Sequence, residues 1–271
     1  RVATVCHLHN HLVIPHSFVR GLPQRFYITM VRRFLCASRS VAAHLLADGA
    51  PQSKVVVTEN AIAFTRLDAG GPLHRAALGL PSCAKIVMMF GYNYHVKGVD
   101  LAVEAVRRLR EDGRDVVLAI VLASRREEVA RAIRGQLDVS ELPAWIALLP
   151  PRADVGAYYR LADVFVSPSR QEGFCYALVE AAYCETPVAA SAIDAQRDLA
   201  LPPNSFFAPE DAQSLADKLG ERLLAGRDAA ALAAAKRRVV ESYSLDVWAA
   251  AVADAYAPLP ISARRAKRED R

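Results

Sequence analysis

At 271 residues, with 53% hydrophobic and 23% charged side chains, the chain can hold one large or two ordinary domains, and intrinsic disorder is excluded over most of its length. The longest wholly apolar run, Val116 to Ala123, is eight residues against the roughly 20 that cross a bilayer, so no spanning helix is expected. The net charge of +5 leans on Arg264, Arg265, Lys267, Arg268 and Arg271, and no basic stripe with interleaved aromatics accompanies it, which argues against nucleic acid as a partner.

In chain order, short apolar runs predict strands at Val2 to His7, Arg33 to Ala37, Lys54 to Thr58, Lys85 to Phe90, Val116 to Leu122, Trp145 to Leu149, Asp163 to Ser167 and Pro187 to Ala190. Helical patterns lie between them: Val99, Val103, Val106 and Leu109 share one face of Gly98 to Glu111, and Arg125 to Gln136 shows a similar face. Alternating strands and helices predict an α/β fold with parallel sheets. From Asp211 onward the pattern is helical, with Ala-rich stretches at Asp228 to Lys236 and Leu245 to Ala255. Asp68, Gly70, Gly71 and Pro72 carry turn chemistry and place a domain junction near residue 80.

Five cysteines without a C-x-x-C pair, set among apolar neighbours, read as reduced and buried, and a cytoplasmic location is expected. Residue 1 is Arg and a strand follows at once, so the chain is expected to be cut from something longer, with its N-terminal domain incomplete. The basic end reads as a solvated tail, the alternative being peripheral contact with the inner face of a membrane.

Three constellations could carry chemistry. In Phe90-Gly91-Tyr92-Asn93-Tyr94-His95-Val96-Lys97-Gly98, a strand ends in Gly and a turn enters a helix expected to begin near Lys97. Helix N-termini at the carboxyl ends of parallel strands attract anions, and a lysine in a first turn is easier to understand if a phosphate neutralises it. The plain alternative is a solvated lysine beside a tight turn. In Ser167-Pro168-Ser169-Arg170-Gln171-Glu172-Gly173-Phe174-Cys175, continuing to Glu180, one carboxylate lies in a loop and the other in a helix between Val179 and Ala181. Glu180 must face solvent or be held by a partner, because an unpaired buried carboxylate is costly. The pair suits a sugar nucleotide: Glu180 can accept from a ribose diol and Glu172 from sugar hydroxyls over the N–H groups of Gly173 to Cys175, while Lys97 faces the diphosphate. Third, His7, His9 and His11 alternate at the first strand end, where a zinc hydrolase using His7 and His9 is an alternative that lacks further ligands on later strand ends.

At these residues the sequence resembles the retaining GT-B glycosyltransferases of the family 4, or group 1, type, whose hallmark is the E-x7-E pattern matched by Glu172 and Glu180. The match runs well over residues 83 to 258. It extends more loosely to Ala37-Ser38-Arg39-Ser40 and to Glu59-Asn60-Ala61-Ile62. The resemblance implies two Rossmann-like domains with parallel sheets: a partial acceptor-side domain at 1–80 and a nucleotide-sugar-binding domain at 81–244. A terminal helix at 245–258 would cross back to the first domain, followed by a basic tail at 259–271. It implies Glu172 on the donor sugar, Glu180 on the ribose and Lys97 on the diphosphate. Gly91, Gly173, Phe174 and Cys175 would line the donor, and His9 would face the donor sugar. It also implies transfer of a sugar from a UDP- or GDP-linked donor to an acceptor hydroxyl with retention, without a metal or further cofactor. The acceptor, whether saccharide, lipid or small molecule, is not specified. A non-catalytic nucleotide-sugar-binding module is the alternative. The sequence departs from the family in three places: Tyr92 stands where an Arg is common, leaving Arg170 or His95 to supply a second cation, Cys175 stands where a small residue usually follows Gly-Phe, and Glu185 replaces a Gly.

Overall fold

A computed structural model describes residues 4–9 and 28–257. Its elements in chain order are β1 (Val5–Leu8), β2 (Arg33–Cys36), α1 (Arg39–Ala47), β3 (Val55–Val57), β4 (Lys85–Phe90), α2 (Val99–Glu111), β5 (Val116–Val121), α3 (Arg126–Leu137) and β6 (Ile146–Leu149). There follow α4 (Gly156–Leu161), β7 (Val164–Ser167), α5 (Tyr176–Tyr183), β8 (Val188–Ser191), α6 (Asp194–Arg197), β9 (Phe206–Phe207), α7 (Ala212–Ala225), α8 (Ala229–Tyr243) and α9 (Leu245–Tyr256). Among the described residues no helix is long and apolar enough to cross a membrane. The basic tail and His11 lie outside the described residues.

The chain divides into two compact units: the described residues up to Ala61 together with those from Leu245 onward, and Ile62 to Ser244. The boundary thus falls after Ala61, ahead of the junction expected near residue 80. The reason is burial. Ile62, Phe64, Leu67 and Leu80 all enter the core of the second unit, so the turn-rich stretch between Leu67 and Leu80 belongs to that unit.

In the first unit β1, β2 and β3 form a parallel sheet in that order. Phe34 and Cys36 of β2 pack with Val41, Ala42 and Leu45 of α1, whose N-cap Ser38 accepts a 3.1 Å hydrogen bond from Val41 N. α9 belongs here as well, with the Tyr256 hydroxyl 3.0 Å from His7 Nε2 and the Ala255 carbonyl accepting from Arg33.

The second unit holds a six-stranded parallel sheet ordered β6-β5-β4-β7-β8-β9. Counted along this unit, its strands run 3-2-1-4-5-6, the doubly wound arrangement. Both faces are covered, and the alternation of side chains decides which residue goes to which face. Ile86 and Met88 of β4, with Val117 and Ala119 of β5, join the core beneath α4, α5 and α8. Val87 and Met89, with Leu118 and Ile120, face α2, α3 and α7. Strand β9, only two residues long, is too short to leave a pattern and was not expected from sequence. Glu185 has φ +56, a left-handed conformation that explains why resembling sequences place glycine there.

Candidate functional site

The sheet reverses its winding between β4 and β7, and in open α/β sheets the crevice outside the carboxyl ends of the strands at such a point receives ligands. The first two sequence constellations are the segments that leave these two strands.

After β4, Gly91 is buried where a Cβ would collide with Ile120 and Val99. The chain then winds through a turn closed by Lys97 N donating to Asn93 O (3.0 Å) and Val99 N donating to Tyr94 O (2.9 Å). Helix α2 starts at Val99 rather than near Lys97, with Gly98 as its N-cap at φ +66. A Cβ on Gly98 would overlap the carbonyl of Pro168, so only glycine lets this turn lie against the loop after β7. Lys97 therefore precedes the helix, and the argument from a cation within the first turn does not apply.

The loop after β7 is fastened to that turn by Arg170. Its backbone N donates to Val96 O (2.9 Å), and its guanidinium donates to His95 O (2.6 Å) and to both oxygens of Asp100 (2.8 and 2.7 Å). Arg170 is consequently no free cation for a diphosphate. Its hydrogen bonds to Asp100, opposed by burial and aided by the Asp100 and Glu210 charges, raise its pKa above the ordinary arginine value. His95 contributes its carbonyl and leaves its side chain exposed. Arg170→Lys keeps the charge but loses the two-pronged geometry. It is expected to reduce unfolding free energy by about 1–3 kcal/mol, read by urea denaturation, and an unchanged midpoint would contradict the fastening role.

Lys97 and Glu172 meet inside this junction. Lys97 Nζ donates to Glu172 Oε1 at 2.6 Å, and the two side chains are 12% and 10% exposed. Ser169 Oγ donates to the same oxygen at 2.8 Å, and Lys97 Nζ sits 4.7 Å from the centre of the Tyr92 ring. Burial alone would lower the Lys97 pKa, but the charge and hydrogen bond of Glu172 outweigh it and leave a net rise, so the ammonium is retained. Tyr92, in place of an arginine, offers an aromatic face to that ammonium.

Glu180 is 5% exposed on α5 and has partners of its own. Oε2 accepts from the Tyr159 hydroxyl at 2.7 Å and Oε1 accepts from Arg66. Burial raises its pKa, and the Tyr159 hydrogen bond and the Arg66 charge only partly offset this. Tyr159 also packs on Phe90, the last residue of β4, with ring centres 5.5 Å apart. Both motifs thus reach the carboxyl end of β4, Lys97 with Glu172 through the turn and Glu180 through Tyr159. Lys97 and Glu172 are in direct contact, whereas Glu180 bonds to neither.

Gly173, Phe174 and Cys175 are buried between Glu172 and the start of α5. Phe174 packs on Tyr243 at 5.3 Å between ring centres. Burial, with the Glu172 charge, pushes the Cys175 thiol up to about 12, so it remains a protonated packing group rather than a nucleophile.

His9 lies in the first unit, exposed, with Nδ1 3.0 Å from Asn60 Oδ1. His7 pairs with Tyr256. Among the described residues no group of three or more His, Cys, Asp and Glu side chains is placed to hold a metal ion. Sequence reasoning missed Arg66 and Tyr159. Arg66 sits between buried Phe64 and Leu67 in a stretch that reads only as a junction, and Tyr159 reads as core.

A family description, "Glycosyl transferases group 1", matches residues 72–239. The chain is similar to a D-inositol 3-phosphate glycosyltransferase of Xylanimonas cellulosilytica, 33% identical over 187 residues that make up 68% of this chain and 44% of that protein. A protein of the same name from Kineococcus radiotolerans is 30% identical over 167 residues, 56% of this chain and 38% of its own. The chain therefore spans less than half the length of these curated relatives. Among solved structures, a glycosyltransferase from Rickettsia africae ESF-5 shares the fold with a TM-score of 0.79 and 22% identity, over 94% of this chain and 70% of that one. Anabaena Alr3699/HepE in complex with UDP and glucose does so with a TM-score of 0.78 and 17% identity, over 95% and 72%.

Proposed function

Because the chain belongs to the glycosyl transferases group 1 family, we propose that its second unit is the donor-binding half of an enzyme that moves a sugar from a nucleotide-sugar donor to an acceptor hydroxyl. The observation that carries this reading is the contact of Lys97 with Glu172 at the switch point of the sheet. Each group of the pair holds the other in place, so a donor would meet an ammonium and a carboxylate already oriented.

In this reading the donor diphosphate lies against Lys97. The ammonium stabilises negative charge as the sugar–phosphate bond breaks, which is where electrostatic help counts most. Glu172 accepts hydrogen bonds from the sugar hydroxyls, and Glu180, kept in orientation by Tyr159, accepts from the ribose. Transfer proceeds with retention, the leaving diphosphate helping to take the acceptor proton on the same face, and no metal is needed. UDP as the donor nucleotide is favoured by the UDP named for the Anabaena protein, and an inositol phosphate as acceptor by the names of the relatives.

Calorimetric titration with UDP and GDP tests the reading. One of the two is expected to bind saturably, and Glu180→Gln is expected to weaken that binding by about 1–3 kcal/mol, the loss typical of a hydrogen bond to a charged group. No saturable binding by the wild-type chain, or equal binding by Glu180→Gln, would overturn the assignment. With the full-length protein, proton NMR of the product's anomeric centre reports retention or inversion.

A further inference from the structure

Among the described residues the Glu180 side chain has two hydrogen-bond partners, Tyr159 from α4 and Arg66 from the short helical turn Phe64–Leu67. That turn is fixed at several points. Leu67 is fully buried, and its carbonyl accepts from Arg160 Nη1 at 2.7 Å. The same carbonyl lies so close to Gly156, the first residue of α4, that a Cβ there would overlap it. Phe64 stacks on Tyr183 of α5 with ring centres 4.5 Å apart, and the Tyr183 hydroxyl donates to Asp68 Oδ2 at 2.9 Å. Arg66 stands between these anchors. Packing against both α4 and α5 therefore delivers its guanidinium to Glu180, and an arginine whose backbone is already held has less freedom to lose in forming the pair.

The two partners divide the carboxylate between them. Tyr159 takes one position on Oε2 and Arg66 takes one on Oε1. An ionised carboxylate has about four acceptor positions, two on each oxygen, so one is left on each. Tyr159 stays a donor, because burial and the Glu180 charge raise its pKa well above the ordinary phenol value. With a donor on each oxygen the carboxylate cannot turn without breaking a bond, and the positions that remain suit a molecule with two adjacent hydroxyls. The pair opens on one side only: the Glu180 side chain is 6% exposed and that of Arg66 is 49%. Replacing Arg66 thus removes its bond without leaving a void in the core.

We propose that Arg66 is a positioning residue for ribose recognition: with Tyr159 it fixes the plane of the Glu180 carboxylate, so that each oxygen accepts one hydroxyl of the nucleotide's ribose diol. The proposal rests on the donor reading of Glu180. It adds that discrimination between ribose and 2′-deoxyribose depends on Arg66, which acts through Glu180 and does not touch the nucleotide.

Calorimetric titration with UDP, GDP and their 2′-deoxy counterparts tests it on the chain as it stands. The preferred nucleotide is expected to bind about tenfold or more tighter than its 2′-deoxy form, which leaves one carboxylate oxygen unmatched. Arg66→Met is expected to cut that ratio to about threefold or less, by weakening the ribonucleotide more than the 2′-deoxy form. Saturable binding of the 2′-deoxy form shows that the variant remains folded. In a Glu180→Gln background the same substitution is expected to leave the ratio unchanged. A ratio that survives Arg66→Met but falls in Glu180→Gln would overturn the role of Arg66 and leave the donor reading standing. So would an equal loss of both nucleotide forms, the mark of a purely structural partner, or a further fall of the ratio in the Glu180→Gln background, the mark of direct contact. A wild-type chain without preference for the ribonucleotide, or a preference that Glu180→Gln leaves intact, would overturn the donor reading and this proposal with it.

Discussion

Lys97→Met is expected to lower the unfolding free energy by about 3 kcal/mol, because it leaves the Glu172 carboxylate buried without its cation. Glu172 is 10% exposed, and in that variant only Ser169 would still donate to Oε1. Adding Glu172→Gln is expected to recover most of the loss, since a neutral amide needs no counter-charge. Nucleotide binding should behave differently. The single and the double variant are both expected to bind the preferred nucleoside diphosphate about 1–3 kcal/mol more weakly, since the ammonium is missing from both. Urea denaturation and calorimetry on wild type, both single variants and the double variant complete the cycle. Recovery of nucleotide affinity along with stability would reduce Lys97 to a structural partner of Glu172 and remove the proposed contact with diphosphate.

Gly98→Ala is expected to be at least as damaging to the fold. Its φ of +66 costs a side chain about 1–2 kcal/mol, and its Cβ would in addition overlap the Pro168 carbonyl, which is backbone and cannot swing aside. A total loss of about 3 kcal/mol or more places it among the severe substitutions. Gly113→Ala is the internal control. Its φ is +81, but a Cβ there meets nothing within 4 Å, so only the backbone penalty of about 1–2 kcal/mol applies. The excess at Gly98 measures how closely the turn after β4 presses on the loop after β7. Nucleotide binding is expected to weaken in Gly98→Ala and to stay unchanged in Gly113→Ala. Equal destabilisation by the two substitutions would show that the close approach can relax and does not hold Lys97 in position.

These two experiments address the feature that made the site partly legible. Lys97, Glu172 and Glu180 stand in segments that follow predicted strands, and each segment has its own local grammar of glycine, turn and helix. The same local grammar failed where it carried too little. Lys97 was expected inside a helix because Gly98 reads as a helix residue, whereas its positive φ makes it the cap. Arg170 reads as a spare cation because nothing in Ser-Pro-Ser-Arg-Gln-Glu announces Asp100, which lies on the helix after β4.

What the sequence determined by itself was the succession of buried strands and amphipathic helices. Burial on a strand or a helix repeats every few residues, and that repetition needs no knowledge of the rest of the chain. It also supplied the motifs that sit at strand ends. The tertiary structure alone decided which of these ends become neighbours. The strand order brings β4 beside β7 and so Lys97 onto Glu172, it gives Glu180 to Tyr159 and Arg66, and it moves the unit boundary to follow Ala61. Partners of this kind are chosen by how whole strands and helices pack, and residues far apart in the chain carry no local pattern from which the choice can be read.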